Sequence, residues 1–320
     1  MQTQIGYNID IAANYLKNGE LVAIPTETVY GLAANALNEE AVLKIYEAKN
    51  RPRFNPLIIH VPSVETFALY TEKIPKEFYI LTEKFCPGPI TFLLQKKNVV
   101  PDLVTAGSNR VAIRVPDHPL TLQLLKKIDF PLAAPSANLS GYVSPVTAEH
   151  VVEGLEGKIP YILDGGESKI GLESTIIGFE NNEIIVHRLG GVSKEQIEQQ
   201  VKSKVIIKLP HEQTETPGQL KSHYATKAPL YFGNVKLMIN SFEGKKIAVI
   251  TLNSKYNIDP GLLFSLSASG DLHEAAKNLF KVLRHLDELK PDVILADKFP
   301  DIGIGRAIND RLQRAQHINK

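Results

Sequence analysis

The 320-residue sequence has a single cysteine, Cys86, and no tryptophan. One cysteine excludes an internal disulfide and a cysteine-based zinc cluster, and it is typical of proteins from a reducing cytoplasm. No apolar run approaches the roughly 18 residues that a membrane helix needs. The first ten residues also lack the basic and apolar regions of a signal peptide. We therefore expect a cytoplasmic protein without membrane contact.

An excess of positive charge is also missing. Lys and Arg number 36 and Asp and Glu number 35, so the formal net charge is +1. Proteins that coat nucleic acid carry a larger basic excess. Aromatic residues make up only 7%, which argues against a stacking platform for single strands. A site for a polyanion must therefore be a local cluster.

Short apolar runs alternate with amphipathic segments over the first 190 residues, which predicts an α/β fold. The pair Asn181-Asn182 predicts a hairpin, so we expect a mixed sheet rather than a purely parallel one. The predicted helices are 9–19, 39–49, 75–85 and 120–125. The predicted strands are 21–24, 57–61, 91–94, 111–115, 132–134, 162–164, 175–179 and 183–188.

The stretch from about 209 to 228 has no periodicity and predicts a linker, since loops of that length are usually functional or lie between domains. Beyond it, strands at 247–252 and 293–296 and helices at 271–289 and 304–315 predict a second α/β unit. We therefore expect three parts: residues 1–208, a linker or lid at 209–230, and a small domain at 231–320.

The usual nucleotide-binding motifs are missing as well. The sequence has no G-x-x-x-x-G-K-[ST] loop, and Gly303-Ile304-Gly305 lacks the third glycine of a dinucleotide fingerprint. A nucleotide would have to be bound by other means. Three segments, described next, are candidates.

The first segment is Pro25-Thr26-Glu27-Thr28-Val29-Tyr30-Gly31, which follows a predicted buried strand. Hydroxyl groups at the carboxyl end of a strand suit a small ligand in an α/β sheet. The alternative is a plain turn whose side chains satisfy backbone groups.

The second segment has Lys49, Arg51 and Arg53 between a predicted helix and a predicted strand. Prolines at 52 and 56 stop the helix and stiffen the loop, so the cluster suits a triphosphate. The alternative is a solvated basic surface or a partner for the helix dipole.

The third segment, 133–141, is rich in small residues and contains Ser136 and Asn138, which can donate to phosphate or ribose oxygens. The alternative is a turn that caps the helix after Thr147. Arg114 and Arg188 lie on predicted strands, so each either contacts a ligand or forms an internal salt bridge.

In this order, the segments resemble the threonylcarbamoyl-AMP synthase family, which is built on the YrdC domain. The similar stretches are PTETVYGL (25–32), KNRPRFNPLIIH (49–60), PGPITFLL (87–94), VAIRVPDHP (111–119), LAAPSANLSG (132–141) and GLESTII (171–177). PGQLKSHYA (217–225) and GIGRAINDRLQRA (303–315) resemble the linker and the C-terminal end of the family's long form. The resemblance implies a twisted, mixed, open YrdC-like sheet with flanking helices, then a linker and a small Rossmann-like domain.

The resemblance also implies an activity. The family joins L-threonine, bicarbonate and ATP, with magnesium, into threonylcarbamoyl-AMP and pyrophosphate. It hands the product to a transferase complex that modifies adenosine 37 of tRNA, and weak direct contact with tRNA is a further expectation. The alternative is a non-catalytic nucleotide- or RNA-binding module of the YrdC type.

The family's site residues, carried over by motif position, form three sets without a metal ligand. The L-threonine set is Thr28, His60, Arg114, Ala134 and Ser174. The ATP set is Arg51, Asn55, Arg110, Ser136, Asn138, Ser144, Arg188 and Tyr224. Lys49 and Arg51 are the expected catalytic residues.

Overall fold

The computed structural model describes residues 2–201, 204–208 and 224–316. These residues form an eleven-stranded sheet and a separate four-stranded sheet, with helices packed on both. Within the described part of the chain, every helix is too short or too polar to cross a membrane.

The first sheet is mixed, which confirms the prediction. Its strands are β1 (Gln4–Gly6), β2 (Val22–Ile24), β3 (Gly31–Asn35), β4 (Ile58–His60), β5 (Ile90–Gln95), β6 (Arg110–Arg114), β7 (Leu132–Ala133), β8 (Tyr161–Leu163), β9 (Thr175–Glu180), β10 (Glu183–Arg188) and β11 (Val205–Ile207). Their spatial order is β1-β8-β2-β3-β7-β4-β6-β5-β9-β10-β11. β4 pairs with β6 in parallel, whereas β2 with β3 and β9 with β10 are antiparallel.

Helices surround this sheet, and side-chain caps set where several of them begin. They are α1 (Ile9–Lys17), α2 (Glu39–Lys49), α3 (Phe67–Tyr70), α4 (Lys76–Phe85), α5 (Asp102–Thr105), α6 (Pro119–Lys127), α7 (Ala148–Leu155) and α8 (Lys194–Val201). Asn38 caps α2 by accepting the N–H of Ala41, and Thr147 caps α7 by accepting the N–H of His150. At the other end of α2, Asn50 has a φ of 50°, a left-handed conformation that asparagine tolerates. That residue turns the chain out of the helix into the basic loop.

Strand β3 was not predicted. It runs back antiparallel to β2, with Val22 opposite Ala33 and Ile24 opposite Gly31. A Cβ at position 31 would lie 3.2 Å from the Cβ of Ala134, so glycine permits this close approach of neighbouring strands. Residues 25–30 are consequently a loop that is closed at both ends by the sheet.

The predicted hairpin between β9 and β10 is present. Asn181 and Asn182 have φ values of 50° and 64°, as the tight turns of two-residue hairpins require. This hairpin brings the end of β10 back to the sheet edge where β9 begins.

The second sheet is small and parallel. Its strands are β12 (Leu230–Gly233), β13 (Ile247–Thr251), β14 (Leu263–Ser265) and β15 (Val293–Asp297), in the order β12-β15-β13-β14. Its helices are α9 (Val235–Met238), α10 (Leu272–Leu289) and α11 (Gly305–Ala315). The expected α/β unit is therefore present, while the proposed boundaries stay predictions. Residues 209–223, most of the predicted linker, lie outside the described residues.

The two sheets share one continuous apolar core, which includes side chains of α10 and α11. Around that core, α10 contacts the first unit through polar groups. Arg284 pairs with Glu153 at 2.6 Å and donates to the carbonyl of Val143 at 2.7 Å, and the hydroxyl of Tyr142 donates to Asp287 at 2.6 Å. The second unit thus lies directly on the segment that follows the third candidate motif.

Candidate functional site

One pocket brings together side chains from all three candidate segments. It lies at the ends of strands of the first sheet, where β4, β6 and β10 end and β9 begins. The loop 25–30 and the segment after β7 border it. The residues that line it are Thr26, Thr28, Val29, Gly31, Arg51, Ile58, His60, Arg114, Ala134, Pro135, Ser136, Glu173, Ser174, Arg188 and Tyr224.

All five residues predicted to bind L-threonine line this pocket: Thr28, His60, Arg114, Ala134 and Ser174. Four of the residues predicted to bind ATP do so as well, namely Arg51, Ser136, Arg188 and Tyr224. Their binding roles stay predictions, but the fold does gather these side chains from distant positions in the sequence.

Arg114 is held at the pocket by an ion pair. Its Nη2 donates to Glu27, its Nη1 donates to the hydroxyl of Thr28 at 3.1 Å, and its side chain is only 4% exposed. Thr28 is in turn hydrogen-bonded to Thr26 at 2.7 Å. Burial raises the pKa of the Glu27 carboxyl, while the positive charge of Arg114 opposes that rise. Among the described residues, Nε of Arg114 and Oε2 of Glu27 have no hydrogen-bond partner.

His60 is a neutral imidazole in this site. Burial, reinforced by the nearby charge of Arg114, lowers the pKa of His60 to about 3. Its Nδ1 is buried, and no described residue hydrogen-bonds to it. A buried polar atom normally has a partner, so this nitrogen is suited to a hydrogen bond with a ligand.

Ser174 and Arg188 form a second fixed group. Arg188 donates to the Ser174 carbonyl at 3.0 Å and to its hydroxyl at 2.9 Å, and that hydroxyl also contacts the hydroxyl of Thr91 at 2.7 Å. Burial lowers the pKa of Arg188 to about 10, so the side chain is still cationic at neutral pH.

The basic loop folds around Arg51, which lines the pocket. Arg51 donates to the carbonyls of Asn55 at 3.1 Å and Pro56 at 2.8 Å, and burial lowers its pKa to about 10. The side chain of Asn55 is buried, and its amide has no partner among the described residues. Asn55 does not line the pocket, however, and Arg53 is exposed.

Lys49 lies behind the pocket rather than at its wall. Its Nζ donates to the carbonyls of Ser136 and Asn138, both at 2.5 Å. The side chain of Asn138 donates to the carbonyls of Leu139 and Tyr142. Burial lowers the pKa of Lys49 well below its ordinary value. These two residues hold the segment 136–142 in place, while their assigned catalytic and ATP-binding roles stay predictions.

Arg110 is a predicted ATP residue that does not line this pocket. It lies at the opposite end of β6 from Arg114, about 13 Å along the strand for four residues. It pairs with Glu180 at 3.0 Å and lines a different cavity, beside the hairpin of β9 and β10. Its predicted contact with ATP is untested.

Glu173 is a functional candidate that the sequence analysis did not single out. Its Oε1 accepts a hydrogen bond from the buried hydroxyl of Ser144 at 2.7 Å, and its Oε2 accepts one from Arg311 of α11 at 3.0 Å. The sequence could have indicated Glu173 only as an acidic residue inside the segment GLESTII. Glu27 could have been found in the same way, as the acidic residue inside PTETVYGL. No sequence signal connected Glu173 with Arg311.

The charges at the pocket favour an anion. Three arginines, Arg51, Arg114 and Arg188, line it against one carboxylate, that of Glu173. No group of three or more His, Cys, Asp or Glu side chains in the described part of the chain is arranged to hold a metal ion.

Two family models together match nearly the whole chain. The family model for Sua5, YciO and YrdC proteins, described as "Telomere recombination", matches residues 14–190. A second model, described as "Threonylcarbamoyl-AMP synthase, C-terminal domain", matches residues 192–316.

Individual relatives agree with these models. The threonylcarbamoyl-AMP synthase of Pyrococcus abyssi is 42% identical over 97% of this chain and 94% of its own length. The Bacillus subtilis protein of that name is also 42% identical, over 95% and 91%. The structure of P. abyssi Sua5 complexed with L-threonine superposes with a TM-score of 0.90 at 40% identity, covering 98% of this chain and 96% of that one.

Proposed function

We infer the activity from family membership: this chain belongs to the Sua5/YrdC family of threonylcarbamoyl-AMP synthases. We propose that it joins L-threonine, bicarbonate and ATP into threonylcarbamoyl-AMP and releases pyrophosphate. It is therefore a nucleotidyltransferase, and its product is the first intermediate in threonylcarbamoyl modification of tRNA.

The observation that carries this proposal is the composition of the single pocket described above. The five residues expected at the threonine site and two cationic residues expected at the ATP site, Arg51 and Arg188, line the same cavity. A synthase needs both substrates side by side, because a group on one attacks a phosphorus atom of the other.

The proposed chemistry has two steps. The amine of threonine adds to the carbon of bicarbonate and water leaves, or it adds to CO₂ and gives up a proton; either route forms a carbamate. A carbamate oxygen then attacks the α-phosphorus of ATP, the bond to the β-phosphate oxygen breaks, and pyrophosphate leaves. No covalent bond to the protein is required, so catalysis rests on positioning and on charge stabilisation.

Within this scheme the basic residues of the site have three tasks. Arg114, held by Glu27 and Thr28, binds the threonine carboxylate. Arg51 and Arg188, fixed by backbone carbonyls, neutralise phosphate oxygens. Magnesium enters with ATP as part of the substrate, held chiefly by phosphate oxygens and water. Lys49 supports this arrangement from behind through the segment 136–142.

Tyr224 closes one side of the pocket in this proposal. Its side chain is 1% exposed and stacks on Phe280 of α10, with ring centroids 5.2 Å apart. Closure excludes water from a carbamate and an adenylate that water would hydrolyse. His223, which precedes Tyr224 in the stretch PGQLKSHYA, lies outside the described residues.

The test is release of pyrophosphate from ATP and bicarbonate, with and without L-threonine, and with L-serine and L-allothreonine as controls. We expect release that depends on L-threonine. ATP binding without threonine-dependent release would favour the alternative, a non-catalytic nucleotide- or RNA-binding module, although the synthase relatives support catalysis over that alternative. Transfer of the product to a transferase complex, weak contact with tRNA and a cytoplasmic location complete the proposal.

A further inference from the structure

Arg311 of α11 reaches the pocket from the second unit of the chain. Its side chain is fully buried. Its Nε donates to Glu173 at 3.0 Å, and its Nη2 donates to the carbonyl of Leu189 at 2.8 Å. The remaining nitrogen, Nη1, donates to Asp310 at 2.8 Å. All three nitrogens of the guanidinium are therefore engaged, and the group has one defined orientation.

Glu173 connects Arg311 with the substrate side of the pocket. It lines the pocket, and its other oxygen accepts the hydroxyl of Ser144, a residue expected to contact ATP. A carboxylate beside bound phosphates would repel them unless a cation matched its charge. Arg188 feels the charge of Glu173 from within the pocket. Arg311 adds a second cation that pairs with Glu173 without lining the pocket.

Arg311 also contacts Tyr224. Its guanidinium carbon lies 5.4 Å from the centroid of the Tyr224 ring, within the range of a cation–π interaction. That ring also stacks on Phe280. Two pocket residues, one acidic and one aromatic, are thus held by one arginine from outside the first sheet.

We propose that Arg311 is a positioning residue for ATP, which neutralises Glu173 and orients Ser144 and Tyr224 at the nucleotide side of the pocket. The proposal rests on the function proposed above. It assigns the second unit a task in the reaction: it completes the nucleotide site of the first unit.

The competing explanation is that Arg311 merely joins the two units. Arg306, on the same helix, pairs with Glu195 of α8 and offers a matched control. That pair also bridges the units, but neither residue lines the pocket. The Arg306 pair is more exposed than the Arg311 pair, so the two substrates are compared as well. An effect shared by both variants, or an equal effect on both substrates, would be a bridging effect, whereas an effect restricted to Arg311 and to ATP acts through the pocket.

The experiment compares Arg311→Met with Arg306→Met in the full chain. ATP affinity is measured by calorimetry, and the KM values for ATP and L-threonine by pyrophosphate release. We expect Arg311→Met to weaken ATP binding and raise the KM for ATP at least about tenfold, which is about 1.4 kcal/mol. The KM for L-threonine should change much less, and Arg306→Met should match the wild type.

A second substitution tests the charge argument. If loss of the Arg311 charge beside the Glu173 carboxylate causes the weaker binding, Arg311→Met/Glu173→Gln should recover part of the ATP affinity that Arg311→Met loses. Should Arg311→Met not fold, Arg311→Lys replaces it, because a lysine keeps the charge but cannot make all three hydrogen bonds. We then expect a smaller rise in the KM for ATP, with Arg306→Lys as its control.

Equal ATP affinity in the Arg311 and Arg306 variants would overturn the inference, as would an equal rise in both KM values. Failure of the proposed function would look different, because the wild type would then release no threonine-dependent pyrophosphate. Calorimetry with ATP needs no turnover and therefore tests Arg311 in either case.

Discussion

The buried pair of Arg114 and Glu27 allows substrate binding to be separated from stability. Arg114 is 4% exposed and Glu27 is 2% exposed, so substitution of Arg114 by methionine leaves a carboxylate without its counterion in a dry site. Breaking a buried pair in this way costs about 3–5 kcal/mol. We expect the free energy of unfolding of Arg114→Met to fall by that amount when Glu27 is ionised.

This deficit should depend on pH. Burial already raises the pKa of Glu27, and Arg114 limits that rise, so the substitution raises the pKa further above the value in the unfolded chain. A raised carboxyl pKa favours folding at low pH and loses that contribution as pH rises through the folded pKa. Urea unfolding should therefore show a larger deficit relative to the wild type at pH 8 than at pH 5.

The double variant Arg114→Met/Glu27→Gln separates the two effects. It removes both charges, so most of the stability should return and the pH dependence should vanish. The cation for the threonine carboxylate remains missing, which costs about 2 kcal/mol or more for a buried charge-assisted contact. The KM for L-threonine should therefore stay at least about 30-fold above the wild-type value in both variants. An unchanged KM in the double variant would remove Arg114 from threonine binding, and a stable single variant would refute the ion-pair argument.

Three other predictions concern residues on different sides of the pocket. Lys49→Met should lower kcat at least about tenfold, because two buried carbonyls lose their donor; turnover near the wild-type value would contradict a supporting role. His60, with a pKa of about 3, favours folding in its neutral form, so its contribution is full above pH 6.5 and shrinks as pH falls. The wild type should lose about 2 kcal/mol more than His60→Gln between pH 7 and pH 5 in urea unfolding, and parallel pH profiles would refute this. Tyr224→Ala should weaken ATP binding in calorimetry while Tyr224→Phe largely retains it, because the ring stacks on Phe280; equal losses would show that stacking is not the cause.

Many of the residues that line the pocket were predicted from the sequence. Thr28, His60, Arg114 and Ser174 belong to short motifs whose order resembles one family, and the fold places them at one edge of the sheet. Their separation along the chain is large, but β4 and β6 run parallel and β9 begins where β6 ends. Motif order thus predicted the group without any knowledge of the strand order.

The order of the strands in the first sheet was harder to predict from the sequence than the residues of the pocket. Strand β3 consists of Gly31, Leu32, Ala33, Ala34 and Asn35, and glycine, alanine and asparagine carry little strand propensity. It forms because β2 and β7 lie on either side of it and supply its hydrogen bonds. Local sequence does not contain that information.

Local patterns in the sequence predicted the α/β class, the hairpin at Asn181-Asn182, a second α/β unit and a set of candidate cations. That set contains the three arginines that line the pocket, but also Lys49 and Arg110, which do not. These predictions follow from periodicity, turn chemistry and motifs, all of which are local along the chain. Which cations line the pocket, and which groups they face, depends on the folded arrangement of the chain. Only folding brings Glu27 to Arg114 and Glu173 to Arg311, since each pair joins residues more than 80 positions apart, and burial then strengthens the interaction between their charges.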